Sequence, residues 1–478
     1  MIIVQAKMSH FLQSSKPLLK NIIESLQNDF PYVSILGTDT FGTSYRVQKN
    51  NISLEDSFWN ERGFVVRAYN GTNYSEFSFN ELCEDSMDNL IDKIKSALKS
   101  EKNIIKSGIP VNEYPLIKEE SIKRSFYGEV KKDPCEMSSK EKLDKMQSIM
   151  NKAFEKSKEL IDFRVNYSEI HISKVFLSKN KDLEQSYIIG EGYLIPMVRR
   201  NNNIKYTFKG YSGLKSIEIF DEMEKDIDSA ITDTLELLDA KPVKPGEYDV
   251  ICCPEISGLI AHEAFGHGVE MDMFVKNRAK AAQYIGKPVA SSIVTMHDGA
   301  AAAKDVSSYM FDDEGTLASD TVIIKNGILE TGMCDILTAM KLGITPTGNG
   351  KRQSFERKAY TRMTNTFFSC GNAKLEDMIK SIKYGFMLDK EMSGMEDPKN
   401  WGIQCMLIRG REIKDGKLTG KIVSPIILTG YVPDLLKSIS MVSGDFELFG
   451  TGACGKGYKE YVKVSDGGPY IKAKVRLG

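Results

Sequence analysis

The feature that most limits how this chain can fold is a break near its middle. Lys241-Pro242-Val243-Lys244-Pro245-Gly246 places two prolines and a glycine within six residues, and such a run interrupts helix and strand alike. The chain has 478 residues, about three times a common domain of ~150, so more than one unit is expected. Texture differs on the two sides of the break, and the expected division is 1–241 and 242–478.

Before the break, helical patterns alternate with clusters of strands. From 16 to 28 apolar residues recur at helical spacing, with Pro17 in a first turn that tolerates it. Segments 33–36, 45–48, 64–69 and 74–79 are β-branched or aromatic, and Gly37, Gly42, Asn50-Asn51 and Asn70-Gly71 punctuate them. A helix over about 80–99 precedes a Lys- and Pro-containing connection, and Ser138 with Glu141 forms a capping box that opens a helix to about 160. Segments 165–179, 183–199 and 204–211 read as a meander turned at Asn201-Asn202-Asn203. One acidic helix is expected over 216–239, with Phe220, Met223, Ile227, Ile231 and Leu235 on one face.

After the break, β-runs at 249–252, 292–295, 321–325, 402–409 and 422–428 are separated by Gly-rich loops. Few helices alternate with them, which favours antiparallel pairing over βαβ units. The fold class is therefore α+β. The N-terminal domain combines an antiparallel sheet with helices, and the C-terminal domain is mostly antiparallel β and carries one helix with metal-ligating residues.

Charge excludes several partners. Lys plus Arg (64) nearly equals Asp plus Glu (65), so no global field draws nucleic acid or an anionic membrane. No run of about 18 apolar residues occurs, so a membrane span is not expected. The start lacks a basic segment, an apolar run and a cleavage site, so no signal peptide is expected. Eight cysteines form no CxxC pair, which suits a reducing compartment and a cytoplasmic protein.

Chemistry concentrates in Gly258-Leu-Ile-Ala-His262-Glu263-Ala264-Phe265-Gly266-His267-Gly268, which holds two of the five histidines. Pro254 suits a first helical turn, and Ile256, Leu259 and Ile260 give an apolar face, so His262 belongs on a helix. Zinc-binding HExxH helices space their histidines four apart, about 40° around the axis. Here they are five apart, roughly 140° in a regular helix, too far to share one ion. A one-residue π-type bulge or an unwound end, which Gly266 and Gly268 permit, would bring them together. Catalytic zinc takes three protein ligands and leaves a position for water, so a third ligand is required. Cys252, Cys253, His297, Asp272 and Cys454 are candidates that spacing alone does not separate.

GLIAHEAFGHGVE, then DDEG (312–315), TGNGKR (347–352), RMTNT (362–366), SISMV (438–442) and ACGKG (453–457), resembles in order the TldD/PmbA metallopeptidase family, its TldD branch in particular. VVRAYNG (65–71) extends the likeness more weakly into the N-terminal half. The resemblance implies that the zinc ligands are His262, His267 and Cys454. The PmbA branch generally lacks this set, which points to the catalytic branch. Cys454 lies in a glycine-rich loop where Lys456 would favour thiolate over thiol. Beside zinc, Glu263 has the role of general base towards the attacking water, then of proton donor to the leaving amine. Near the substrate cavity the resemblance places the 312–315 and 347–352 loops, with Arg362 and Asn365 as candidate contacts. By their letters, the two loops default to backbone turns.

The expected function is zinc-dependent hydrolysis of peptide bonds in unfolded or extended peptides. The resemblance further implies a dimer, either a homodimer or a heterodimer with a PmbA-type partner. Two alternatives are a metal-stabilised, non-catalytic modulator and a zinc amidohydrolase acting on non-peptide amides. Glu263 argues against the modulator, because a structural site needs no base beside its ligand.

Overall fold

The structure, a computed structural model, describes residues 3–106, 112–457 and 459–478. It is α+β. Helices and a nine-stranded sheet, whose strands run from Tyr32 to Gly213, dominate the chain before the proline break, and two further sheets, of seven and six strands, follow it.

Helix His10–Gln27 starts earlier than the periodicity suggested. Ser9 caps it by accepting from the Leu12 N–H at 3.3 Å, and the added turn buries Leu12. Pro17 consequently lies in the interior, where it removes one helical bond; burial of Leu12, Leu19, Ile22, Ile23 and Leu26 outweighs that loss. The expected strands 33–36 and 45–48 are one strand, Tyr32–Gln48, paired on both sides over much of its length. Gly37 and Gly42 do not end it. A Cβ on Gly37 would meet Val175 Cγ2 at 2.9 Å, and one on Gly42 would collide with the Glu169 carbonyl, so they mark close approach inside the sheet.

Strands Glu61–Tyr69 and Tyr74–Phe79 fall where expected, as does the Ser138–Glu141 capping box on helix Ser139–Phe154, which ends earlier than 160; the helix expected over 80–99 lies about two turns later, at Met87–Lys106. Of the connection after residue 106, residues 107–111 lie outside the described residues. The meander is present as Leu160–Ser178, Lys181–Arg200, Asn203–Tyr206 and Lys209–Gly213. The single helix expected over 216–239 is broken at Asp226 into Ile219–Lys225 and Ile227–Glu236. Asp226 is held by the sheet: its carboxylate accepts from Tyr211 Oη at 3.1 Å and pairs with Lys209 Nζ at 3.0 Å.

In the second half the seven-stranded sheet includes Gly246–Cys252, Tyr384–Asp397, Gly402–Lys414, Ile426–Tyr431 and Ile471–Leu477. Its pairings are antiparallel except Gly246–Cys252 with Tyr384–Asp397. The strand expected at 292–295 lies slightly later, at Met296–Asp298 in the six-stranded sheet. The 422–428 run is split into Lys417–Val423 and Ile426–Tyr431, because Pro425 between them has no N–H to give a neighbour. The largest apolar core draws only on residues from Val243 onward.

The two halves meet through buried charge. Arg67 Nη2 donates to Glu314 Oε1 at 2.6 Å, and Lys174 bonds Asp313, so the 312–315 loop is bound to strands of the first sheet. Arg352, in the 347–352 loop, bonds Glu76. Among the described residues no helix is long and apolar enough to cross a membrane.

Candidate metal centre

Strand Gly246–Cys252 runs into helix Pro254–Leu259, with Pro254 in its first turn. The helix packs closely on strand Ser465–Gly468 at Gly258, where a Cβ would collide with the Gly467 backbone. From Ile260 to Gly266 the winding widens to a π-helix, and the His267 N–H reaches the His262 carbonyl five residues back. The awkward spacing thus becomes one turn. The imidazole centroids are 5.1 Å apart, with their planes at 88°.

Glycine contributes differently from the expectation. Gly266 has an ordinary helical φ of −58°, so backbone freedom is not its role. Its missing Cβ leaves room for Met363 Sδ.

Cys454 arrives from strand Cys454–Lys456. Its Sγ is 3.3 Å from His262 Nε2 and 3.5 Å from His267 Nε2, so three donors of different origin share one small volume. Among the described residues no other group of three His, Cys, Asp or Glu donors lies within 4.8 Å of one another. Behind the rings, His262 Nδ1 is 3.5 Å from Asp466 Oδ2 and His267 Nδ1 is 3.5 Å from Glu270 Oε2. At His267 the carboxylate on Nδ1 holds the proton there and turns Nε2 inward, whereas His262 Nδ1 makes no hydrogen bond among the described residues. Glu263 faces the same space, each carboxylate oxygen 3.9 Å from one Nε2.

The electrostatics suit a thiolate. Burial pushes the Cys454 thiol up, but the two imidazoles overcome it and hold the pKa well below the usual thiol value. Reciprocally, burial lowers His262, yet Cys454 carries it up to about 9, and His267 is raised well above its ordinary value in the same way. Lys456 is not the cause, contrary to the sequence expectation. Its Nζ bonds Glu270 Oε2 at 2.8 Å, Asp272 Oδ1 at 2.9 Å and the Thr361 carbonyl at 3.1 Å, because two carboxylates attract it more strongly than one thiol.

The other candidate ligands are engaged elsewhere. Cys252 is buried in the apolar core, and burial alone pushes its thiol up to about 12. Burial likewise raises Cys253. His297 Nδ1 lies 2.7 Å from Asp320 Oδ1, and Asp272 pairs with Lys276 and Lys456. Arg362 and Asn365 are buried rather than open to a cavity: Arg362 bonds the carbonyls of Cys454 and Glu460, and Asn365 bonds the Gly299 and Ala303 carbonyls. Asn349, in the 347–352 loop, ties Asp298 to the Arg362 carbonyl.

Sequence reasoning missed Asp466, Glu270 and Gly394. Strand Tyr384–Asp397 crosses Glu263 at Gly394, where an added Cβ would meet Glu263 Cβ at 2.7 Å and its Cδ at 3.1 Å. Glu270, three residues after His267, was within reach of a helical-spacing argument; Asp466 and Gly394 carry no local signal. Two imidazole nitrogens and a thiolate fit a borderline-soft cation such as zinc.

Residues 245–476 match the family described as the PmbA/TldA metallopeptidase C-terminal domain. A metalloprotease of Methanothermobacter thermautotrophicus is 30% identical over 320 residues, 66% of this chain and 69% of the relative. A zinc metalloprotease TldD homolog of Saccharolobus solfataricus is 29% identical over 318 residues, 65% of this chain and 70% of the relative. The solved structure of TldE from Thermococcus kodakarensis superposes with a TM-score of 0.75 at 19% identity, covering 96% of this chain and 100% of that one, and so shares the fold. With its α+β fold and these matches, the chain belongs to the PmbA/TldD metallopeptidase family.

Proposed function

We propose that the chain is a zinc-dependent peptidase of the TldD branch that hydrolyses unfolded or extended peptides, with His262, His267 and Cys454 as metal ligands and Glu263 as general base. The observation that carries this reading is the convergence of the three donors under one carboxylate that ligates nothing else. Three protein ligands leave a position open, as a catalytic site requires and a structural one does not.

When bound, zinc would acidify a water molecule and polarise the scissile carbonyl. Glu263 accepts the proton of the attacking water and returns it to the leaving nitrogen. Glu270 keeps the His267 proton on Nδ1, and Asp466 faces His262 Nδ1 at 3.5 Å. Arg362 acts on substrate only indirectly, by fixing the Cys454 carbonyl.

An extended substrate is supported by the sheet beside the centre. Strand Glu447–Phe449 ends the six-stranded sheet and pairs on one side with Ser465–Gly468, which carries Asp466. A cavity of about 750 Å³, lined in part by Glu447, Leu448, Phe449, Glu255 and Glu391, borders that edge. Adding a strand there takes affinity from main-chain bonds, which a folded protein does not have free. The division at 242, assembly as a homodimer or with a PmbA-type partner, and a cytoplasmic location belong to the same proposal. The location is supported by the need to keep Cys454 reduced for ligation.

The test is Glu263→Gln. It is expected to keep about one zinc per chain and to lose hydrolysis of a denatured, casein-type substrate by ~10²–10⁴-fold. Native globular proteins should resist the wild type. Undiminished hydrolysis by the variant contradicts Glu263 as the base, whereas a wild type that binds zinc and hydrolyses nothing favours a modulator whose metal is structural.

A further inference from the structure

Cys454 reaches the histidines from 187 residues beyond His267, so its loop has to be held against the helix end for the three donors to meet. Two buried carboxylates, Glu270 and Asp272, grip it through Lys456, and Glu270 alone of the two also reaches His267 and Arg362. Glu270 Oε2 lies 3.5 Å from His267 Nδ1 and 2.8 Å from Lys456 Nζ, and its Oε1 lies 3.4 Å from Arg362 Nε. Lys456 is two residues from Cys454 on the same short strand, and Arg362 Nη2 donates to the Cys454 carbonyl at 2.9 Å. The Glu270 backbone is itself anchored by a bridge to Met333.

Glu270 is 2% exposed and Arg362 1%. A carboxylate taken out of water is tolerated only when paired in good geometry, and removing a partner leaves a buried charge uncompensated. The three groups around Glu270, one imidazole and two cations, come from the helix end, from the Cys454 strand and from the segment after the 347–352 loop.

We propose that Glu270 is a positioning residue that latches the Cys454 loop to the His267 turn, so that thiol and imidazoles form one preassembled metal site. The inference rests on the reading that these three residues hold a metal. It adds that two otherwise separate halves of the site are coupled through Glu270, Lys456 and Arg362.

Cobalt(II) titration of the full chain after chelation tests it, reading both affinity and the near-ultraviolet band of thiolate-to-cobalt charge transfer. The wild type is expected to bind one ion with that band. Glu270→Gln should lose ~10–100-fold in affinity, and Lys456→Met, which spares the contact between Glu270 and His267, should also bind more weakly and with a weaker band. Because the two share the contact between Glu270 and Lys456, the double variant should lose less than the sum of the two single losses. If Glu270→Gln does not fold, Lys456→Met decides the matter. Wild-type affinity and band in Lys456→Met, or additive losses in the double variant, overturn the latch while leaving the ligand set intact. A wild type without the thiolate band overturns the ligand set and the latch together.

Discussion

Gly394→Ala should disable the proposed base without touching a ligand. Strand Tyr384–Asp397 passes over Glu263 at this glycine, and an alanine Cβ would lie 2.7 Å from Glu263 Cβ, 3.1 Å from Cδ and closer still to Cγ. Carbon atoms in good contact sit ~3.5–4.0 Å apart, so the Glu263 side chain has to retreat by roughly 1 Å. Gly394 does not have a positive φ, so alanine suits its backbone; of the three nearest atoms, Glu263 Cγ and Cδ can swing away, while Cβ is fixed to the π-helix. The cost therefore falls on the position of the base together with a small shift of the strand against the π-helix, which the thermal midpoint reads. A misplacement of about 1 Å costs on the order of 10²-fold in rate, or about 2.7 kcal/mol of barrier. The assay is kcat and kcat/KM on an unfolded peptide, beside zinc content and the thermal midpoint. Both kinetic constants should fall together by ~10²-fold, since the lost interaction acts in the transition state. Zinc content should be unchanged. Wild-type kcat with an alanine at 394 would refute the assignment of Glu263 as base.

Cys454→Ser replaces a soft thiolate by a neutral hydroxyl, and zinc affinity measured by chelator competition should fall beyond the ~10–100-fold typical of losing an outer partner. Unchanged affinity would remove Cys454 from the site. A pH effect is expected at the junction of the two halves, where burial, opposed chiefly by Lys174, raises the Glu61 carboxyl from 4.5 to about 7. Such an acid binds its proton more tightly folded than unfolded, so its contribution to stability is present below pH ~4.5 and is lost as pH rises towards 7, by at most about 3 kcal/mol. Glu61→Gln, which can still accept the Phe355 N–H, should thus raise the denaturation midpoint at pH 8 and leave it nearly unchanged at pH 4. Equal effects at both pH values would contradict the titration.

What could be read from the sequence was what local spacing enforces. Histidines five apart can share an ion only if the helix changes its winding, and the π-turn from Ile260 to Gly266 follows from that constraint. The Ser138–Glu141 capping box is similarly local, and both were found. Where distant residues decide, the letters misled. Gly37 and Gly42 read as turns because nothing nearby reveals that Val175 and Glu169 will press against them. Asp226 sits in an unbroken apolar periodicity, yet Tyr211 and Lys209 pull it out of the helix. Lys456 stands next to Cys454 in sequence, but carboxylates from 270 and 272 claim it in space. The same limit hid Asp466 and Gly394, whose partners lie more than a hundred residues away.

The central claim is that His262, His267 and Cys454 bind one metal together. X-ray absorption at the zinc edge of the zinc-loaded chain reads this most directly. The account predicts one sulfur scatterer at ~2.3 Å and two imidazole nitrogens at ~2.0–2.1 Å, with a further light atom filling the open position. A shell without sulfur, or with two or more sulfurs, would contradict it.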